Sequence, residues 1–162
     1  MKPISYLLVV MLFGISGCSR EAPPPPAPAA PPLRPVADVK QVMASIIEPA
    51  ADVYWDAVGS VTDKNGTVEM APKTDAEWKA VVDSAYVVTE GGNLLMMSGR
   101  AKNNDDWMKF ARALVDVGQH AVKAAESKNT KAVFDAGAEV YDACVACHSK
   151  YIVGVSSAPR GK

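Results

Sequence analysis

Residues 129–151 read NTKAVFDAGAEVYDACVACHSKY, and this stretch carries both a helical pattern and the most informative motif of the chain. Cys144, Cys147 and His148 form a CxxCH motif near its end. In a helix Cys144 and His148 share one face because they are four residues apart. Side chains at helical spacing predict a single helix that starts at Asn129 or Thr130 and has one aligned face, made of Phe134, Gly137, Tyr141, Cys144, His148 and Tyr151.

Four interpretations of the CxxCH motif compete. A structural zinc site needs four ligands, and His148 directly beside Cys147 is poorly placed to complete a tetrahedron with both cysteines. A redox dithiol usually opens a helix, whereas this pair lies at the far end of one. Inert burial explains neither the spacing nor the adjacent histidine. Covalent haem uses all three residues, since two thiols form thioether bonds and the histidine binds iron. The motif therefore favours one haem c, attached through Cys144 and Cys147 with His148 as proximal ligand.

Three further helical patterns precede this one. Residues 36–58 carry apolar side chains, Val53 among them, at spacings of three and four that put them on one face of a helix. Asp38 is expected to cap its start, and Pro49 to bend or break it near Ile46. Thr74 and Glu77 have capping-box spacing before a second helix, which Gly91-Gly92 should weaken near its end, and residues 103–106 are expected to cap a third. Asn65-Gly66 predicts a small hairpin or ordered loop between the first two. The fold class expected is all-α, an up-down-up-down four-helix bundle with haem c on the last helix.

The N-terminal part of the chain has a different composition. Residues 1–17 have one Lys, an apolar core and small residues at the end, which is typical of a secretory signal. Residues 15–18, Ile-Ser-Gly-Cys, resemble the lipobox of bacterial lipoproteins, and this resemblance implies lipidation at Cys18. Residues 18–35 are expected to form a lipidated Cys and an extended Pro-rich linker, and residues 36–162 the four-helix domain. Ser19 rather than Asp follows the cysteine, so the expected location is a bacterial membrane facing the periplasm, with the outer membrane favoured.

A four-helix chain with its CxxCH on the last helix resembles the class II c-type cytochromes, cytochrome c′ and its low-spin relatives. The resemblance covers residues 36–155 and is specific around CVACHSKY. It implies the attachment and proximal roles given above, and an aromatic residue three positions after the histidine, here Tyr151, as a haem contact. The family often has a basic residue next, where this chain has Ile152. The lipid anchor and Pro-rich stalk also depart from the usual soluble form.

The sixth position of the iron decides between functions. The family places its distal residue early on the first helix, and Met43 matches that position, so we expect His/Met-ligated iron suited to electron transfer. Met43 as a purely apolar cover would instead leave five-coordinate iron that binds small gases such as NO or CO. Arg112, like Arg100, is a candidate partner of the haem propionates. Weaker alternatives for the axial ligand are His120, Met96, Met97 and Met108.

Composition limits the classes of function. The formal charge is −1 at pH 7, and acidic and basic residues are interspersed, so the sequence gives no indication of a basic surface that binds nucleic acid. The sequence shows no acid–base pair or substrate pocket, so an electron carrier rather than an enzyme is expected. Its partners would be redox donor and acceptor proteins and, through the lipid anchor, a membrane. Pairing of two bundles into a homodimer, as relatives do, stays open.

Overall fold

The structure, a computed structural model, describes residues 32–152, and most of this part of the chain is helical. The expected signal peptide, Cys18 and the first part of the Pro-rich linker lie outside the described residues. The elements in chain order are α1 (Val39–Val42), a π-helical segment (Met43–Ile47), α2 (Glu48–Trp55), β1 (Gly59–Asp63), β2 (Gly66–Met70), α3 (Asp75–Met96), α4 (Asp106–Glu126) and α5 (Thr130–Tyr151). The first three helical pieces run on continuously, and we call residues 39–55 the first rod.

Capping side chains start three of the helices where the sequence predicts it. The Asp38 carboxylate accepts the N–H of Gln41 at 2.7 Å, and the Asn129 side chain accepts the N–H of Ala132 at 3.0 Å. Thr74 forms both bonds of a capping box with its partner at the third helical position. Each cap satisfies backbone donors that the first helical turn leaves unpaired.

The first rod is irregular close to Pro49, as predicted. The Glu48 N–H donates to the carbonyl of Met43, five residues earlier, which defines the π-helical segment. Proline has no N–H, and its ring clashes with the carbonyl four residues before it in a regular α-helix. One extra residue in the turn relieves that clash and changes the phase of the residues that precede it. Val42 and Ile47 are both fully buried on either side of this phase change.

A two-stranded hairpin connects the first rod to α3. Strands β1 and β2 pair antiparallel with Val61 opposite Val68. Because Asp63 pairs with Gly66, the two-residue turn is Lys64-Asn65, one residue earlier than the Asn65-Gly66 dipeptide that predicts the hairpin. The Asp63 side chain accepts the N–H of Asn65 at 2.7 Å, which stabilises this turn locally. The hairpin prediction is confirmed, and the all-α fold class is corrected to a mainly helical chain with one small sheet.

The four helical rods pack around one apolar core. Helix α3 packs on α4 and α4 on α5, while α2 packs on both α3 and α5. Trp78, Trp107 and Tyr54 contribute large buried side chains to the core. The connection between α4 and α5 is only residues 127–129, which makes these two helices antiparallel neighbours. Within residues 32–152, no helix is sufficiently long and apolar to cross a membrane.

The buried face of α5 differs from the predicted one. Phe134 is 62% exposed and Tyr141 is 47% exposed, although both were placed on the inward face. The buried stripe instead consists of Val133, Ala136, Gly137 and Val140. On the first rod, Val53 is likewise exposed rather than part of the inward face. In both helices apolar residues occupy two adjacent stripes, and only one of the two is covered by the bundle.

Candidate haem attachment site

The CxxCH residues lie in the last two turns of α5. Cys144, Cys147 and His148 are each half-buried, and both cysteines are free thiols. Cys144 also packs against the apolar core. Two thiols three residues apart therefore stand about one helical turn from each other, with the imidazole directly after the second. This is the residue set and the spacing that covalent haem attachment requires.

Both thiols are held in the neutral form. Burial, and to a smaller extent the nearby Cys147, raise the pKa of the Cys144 thiol to about 11. Burial also raises the pKa of the Cys147 thiol. A nucleophilic or redox-active dithiol depends on a lowered pKa, which a helix N-terminus or a neighbouring cation provides. These cysteines occupy the opposite end of a helix, so the structure gives them no thiolate-stabilising surroundings.

A cluster of side chains from the start of α4 holds the end of α5. The Asn103 side-chain amide donates to the Tyr151 hydroxyl at 3.0 Å. The Tyr151 ring meets Trp107 edge to face at a centroid distance of 5.0 Å and Phe110 at 6.2 Å. Aromatic pairs in this geometry stabilise beyond their burial alone. Tyr151, three residues after His148, thereby fixes the turn on which the imidazole stands.

An ion pair also links the end of α5 to the start of α4. Lys150 and Asp106 form a hydrogen-bonded salt bridge between the end of α5 and the first residue of α4. Lys150 lowers the pKa of the Asp106 carboxyl mainly through this hydrogen bond. Both side chains are about half exposed, so the pair contributes little to stability and mainly restricts geometry.

Met43 lies at the same end of the bundle as His148. Arg100 Nε donates to the Ala37 carbonyl at 2.8 Å, which places the start of the first rod beside the segment that leads into α4. The end of α5 contacts that same segment through Tyr151. Further along, Trp55 Nε1 donates to the carbonyl of Gly137 at 2.9 Å. Met43 and His148 each lie about 17 Å from that contact along their helices, towards the shared end.

The side chains at the end of the bundle that carries His148 are incompletely buried. Val140 is the last fully buried residue of α5, and the eleven residues from Tyr141 to Tyr151 are half-buried or exposed. Val39, Met43 and Ile46 on the first rod are half-buried as well. Here α1 and the π-helical segment pack on α3, whereas it is α2 that packs on α5. The thiols, the imidazole and Met43 thus lie on incompletely buried helix surfaces, which leaves apolar area for a flat macrocycle to cover.

The remaining candidates are either exposed or already engaged with other groups. Arg112 is exposed on α4. Arg100 is buried, and Nη1 donates to the Leu94 carbonyl at 3.1 Å and to the sulfur of Met97 at 3.0 Å. His120 is exposed, and its ring pairs with Glu139 at 2.9 Å near the opposite end of α4.

The methionine alternatives are placed less favourably than Met43. Met97 already accepts the hydrogen bond from Arg100. Met96 and Met108 are half-buried and pack against the core. Met108 belongs to the same end of the bundle because it follows Trp107, the ring partner of Tyr151. It is therefore the natural comparison residue for Met43.

The sequence predicts that Asn103 only caps α4. Its side-chain oxygen does accept the N–H of Trp107 at 3.1 Å, so it caps α4. The same amide also donates to Tyr151, 48 residues later. The local signal, an asparagine just before a helix, predicts only the first bond. The bond to Tyr151 depends on the packing of α4 against α5, which cannot be predicted from a single sequence.

Within residues 32–152, no three His, Cys, Asp or Glu side chains converge on a position that could hold a metal ion. A haem iron needs no such cluster, since the porphyrin supplies four ligands and the protein one or two axial ones. Comparison with known proteins finds no matching family model, no matching curated protein and no matching solved structure. The residues of this chain are therefore what any functional proposal rests on.

Proposed function

We propose that this chain is a monohaem c-type cytochrome that carries electrons between redox proteins, held at a bacterial membrane by a lipid on Cys18. The supporting observation is the position of Cys144, Cys147 and His148 on the last turns of α5, at the end of the bundle where Met43 also lies. When bound, the haem would supply a one-electron ferric–ferrous couple. We propose no enzymatic reaction.

The roles of the residues follow from their chemistry. Each thiol would add its sulfur and its hydrogen across one vinyl double bond of the porphyrin, a reaction with no oxidant and no leaving group. Neutral thiols of raised pKa, as at Cys144, are the form that carries this hydrogen. His148 would be the proximal iron ligand. The contacts of Tyr151 with Asn103 and Trp107 restrict the turn that carries the imidazole.

Met43 is the proposed sixth ligand. A thioether ligand opposite an imidazole raises the reduction potential and closes the iron to small molecules, as an electron carrier requires. Its place as the first residue of the π-helical segment supports this role, because such segments occur frequently at functional sites. The second candidate function is gas binding by five-coordinate iron, in which Met43 is only apolar cover. The half-buried, apolar neighbours Val39 and Ile46 suit either role.

Met43→Leu separates the two functions, because it removes the sulfur and nearly preserves the volume, at a cost below about 1.5 kcal/mol in stability. We expect the wild-type protein to give low-spin spectra and to bind little carbon monoxide when reduced. The Met43→Leu variant should become high-spin and bind carbon monoxide to saturation. Absorption spectra of the ferric and ferrous forms, with and without carbon monoxide, measure both properties.

Met108→Leu is the matched control, since Met108 is a half-buried methionine at the same end of the bundle. It should leave the spin state unchanged. A wild-type protein that is already high-spin and binds carbon monoxide, unaltered by Met43→Leu, would refute electron transfer through His/Met-ligated iron. It would establish the gas-binding function instead.

A further inference from the structure

Charge is distributed unequally along the bundle. The end where α5 finishes comprises residues 33–40, 99–109 and 148–152, and it contains six basic and three acidic residues. The rest of the described chain, residues 41–98 and 110–147, contains seven basic and fourteen acidic residues. The described part of the chain therefore has a positive end, which carries His148, and a negative body.

A cleft of about 250 Å³ opens on this positive end. We call it the basic cleft, and it is lined by Asp38, Val39, Lys40, Gly99, Arg100 and Lys102. Arg100 is only 9% exposed. Its hydrogen bonds go to the carbonyls of Ala37 and Leu94 and to the sulfur of Met97, none of which is an anion. A buried guanidinium held by neutral acceptors keeps its full charge in surroundings where charges act strongly.

The other charged groups of the cleft do not neutralise the positive charge of Arg100. Asp38 is its one acidic residue, and its carboxylate already caps the first rod through the N–H of Gln41. Lys40 and Lys102 are exposed, and within residues 32–152 neither takes part in a salt bridge. The cleft thus presents three cations, two of them exposed and one buried, against a single carboxylate that already caps a helix.

We infer that the basic cleft is the docking site for an acidic protein partner, whose Asp or Glu carboxylates bind over Lys40, Arg100 and Lys102. Carboxylates are the class of group that arginine and lysine side chains bind in protein interfaces. That this partner is a redox partner rests on the proposed function, because the cleft lies at the end of the bundle that carries His148. A partner docked there stands nearer to the proposed haem than one docked at the opposite end of the bundle, where residues 127–129 connect α4 to α5.

The negative body makes this docking directional. An acidic partner is attracted to the basic cleft and repelled by the body, which carries twice as many acidic as basic residues. Complementary charge mainly accelerates encounter and selects orientation, and its effect falls with ionic strength over a Debye length of about 8 Å at 0.15 M salt. The same asymmetry disfavours basic partners at this end.

The test is a calorimetric titration of the full mature chain with a short oligoglutamate peptide at low salt, with oligolysine of the same length for comparison. Lys40→Gln/Lys102→Gln should weaken oligoglutamate binding about three- to tenfold, since it removes two exposed charge pairs. Lys64→Gln/Lys123→Gln is the matched control, because it removes the same net charge at exposed positions on the body. The control should change binding by less than about twofold.

Equal losses in the two double variants would overturn the inference, since attraction would then follow net charge alone. Absence of oligoglutamate binding to the wild-type chain would overturn it too, as would tighter binding to vesicles of anionic phospholipid, which would assign the cleft to a membrane surface. The docking inference and the proposed function can fail independently. A chain without haem that binds oligoglutamate at the cleft refutes the cytochrome and retains the acidic-ligand site, whereas a haem-loaded chain that does not bind refutes only the inference.

Discussion

At the scale of single residues, Gly92 lies where α3 packs against α4. The sequence suggested that Gly91-Gly92 weakens the end of this helix, yet α3 continues to Met96. Gly92 is buried, and a Cβ added there would lie 2.6 Å from the Cγ2 of Val115 and 2.8 Å from the Ala111 carbonyl oxygen. The glycine therefore permits close approach of two backbones, and its low helix propensity is offset by the packing it allows.

Gly92→Ala should destabilise the protein despite the better helix propensity of alanine. Propensity favours alanine by about 1 kcal/mol, but overpacking against a backbone carbonyl typically costs about 1–3 kcal/mol. We expect a net loss of up to about 2 kcal/mol in the free energy of unfolding, measured by urea denaturation. Asn93→Ala, an exposed neighbour on the same turn, should change it by less than about 0.5 kcal/mol. A Gly92→Ala protein more stable than wild type would show that the two helices do not pack this closely.

At the scale of elements, the joint between the start of α4 and the end of α5 links the fold to the site. Asn103 contributes twice, as a cap for the N–H of Trp107 and as a donor to the Tyr151 hydroxyl. Loss of the cap costs about 1 kcal/mol, and loss of a neutral hydrogen bond about 1 kcal/mol. The two contributions can be separated by choosing the substitution.

Asn103→Ala should lower the free energy of unfolding by about 2 kcal/mol, because it removes the cap, which accepts the N–H groups of Asp105 and Trp107, and the bond to Tyr151. Tyr151→Phe should cost about 1 kcal/mol, as it removes only the hydroxyl and keeps the ring on Trp107. Asn103→Asp is the control, because aspartate still caps and can accept a hydrogen bond from the Tyr151 hydroxyl. In a double-mutant cycle by urea denaturation, Asn103→Ala and Tyr151→Phe should couple. Fully additive losses would mean that the Asn103–Tyr151 bond contributes nothing.

The elements also show what the sequence could and could not predict. Helix starts at Asp38, Thr74 and Asn129 and the existence of the hairpin were predictable, because each depends on side chains within four residues. The turn itself, Lys64-Asn65, lies one residue before the predicted Asn65-Gly66. The buried face of α5 was not predictable. That helix carries apolar residues on two adjacent stripes, and only tertiary packing selects the stripe with Val133 and Val140 over the one with Phe134 and Tyr141.

At the scale of the whole molecule, topology brings together residues that are far apart in the chain. The CxxCH motif is local, so the sequence was sufficient to identify its three residues. Met43 and His148 are separated by about a hundred residues, and their placement at one end follows from the packing of the first rod and α5 against residues 97–110. The charge asymmetry is of the same kind, since it appears only when residues 33–40, 99–109 and 148–152 are seen to share an end.

The central claim is covalent haem at Cys144 and Cys147, and the mass of the denatured chain tests it most directly. The full-length sequence would be expressed in a host that attaches c-type haem, then purified, denatured and measured by mass spectrometry beside Cys144→Ser/Cys147→Ser. We expect the wild-type chain to retain the mass of one haem after denaturation, with neither Cys144 nor Cys147 open to alkylation, and the double variant to lose it. A wild-type chain at the mass of polypeptide alone, with both cysteines alkylated, would contradict the account.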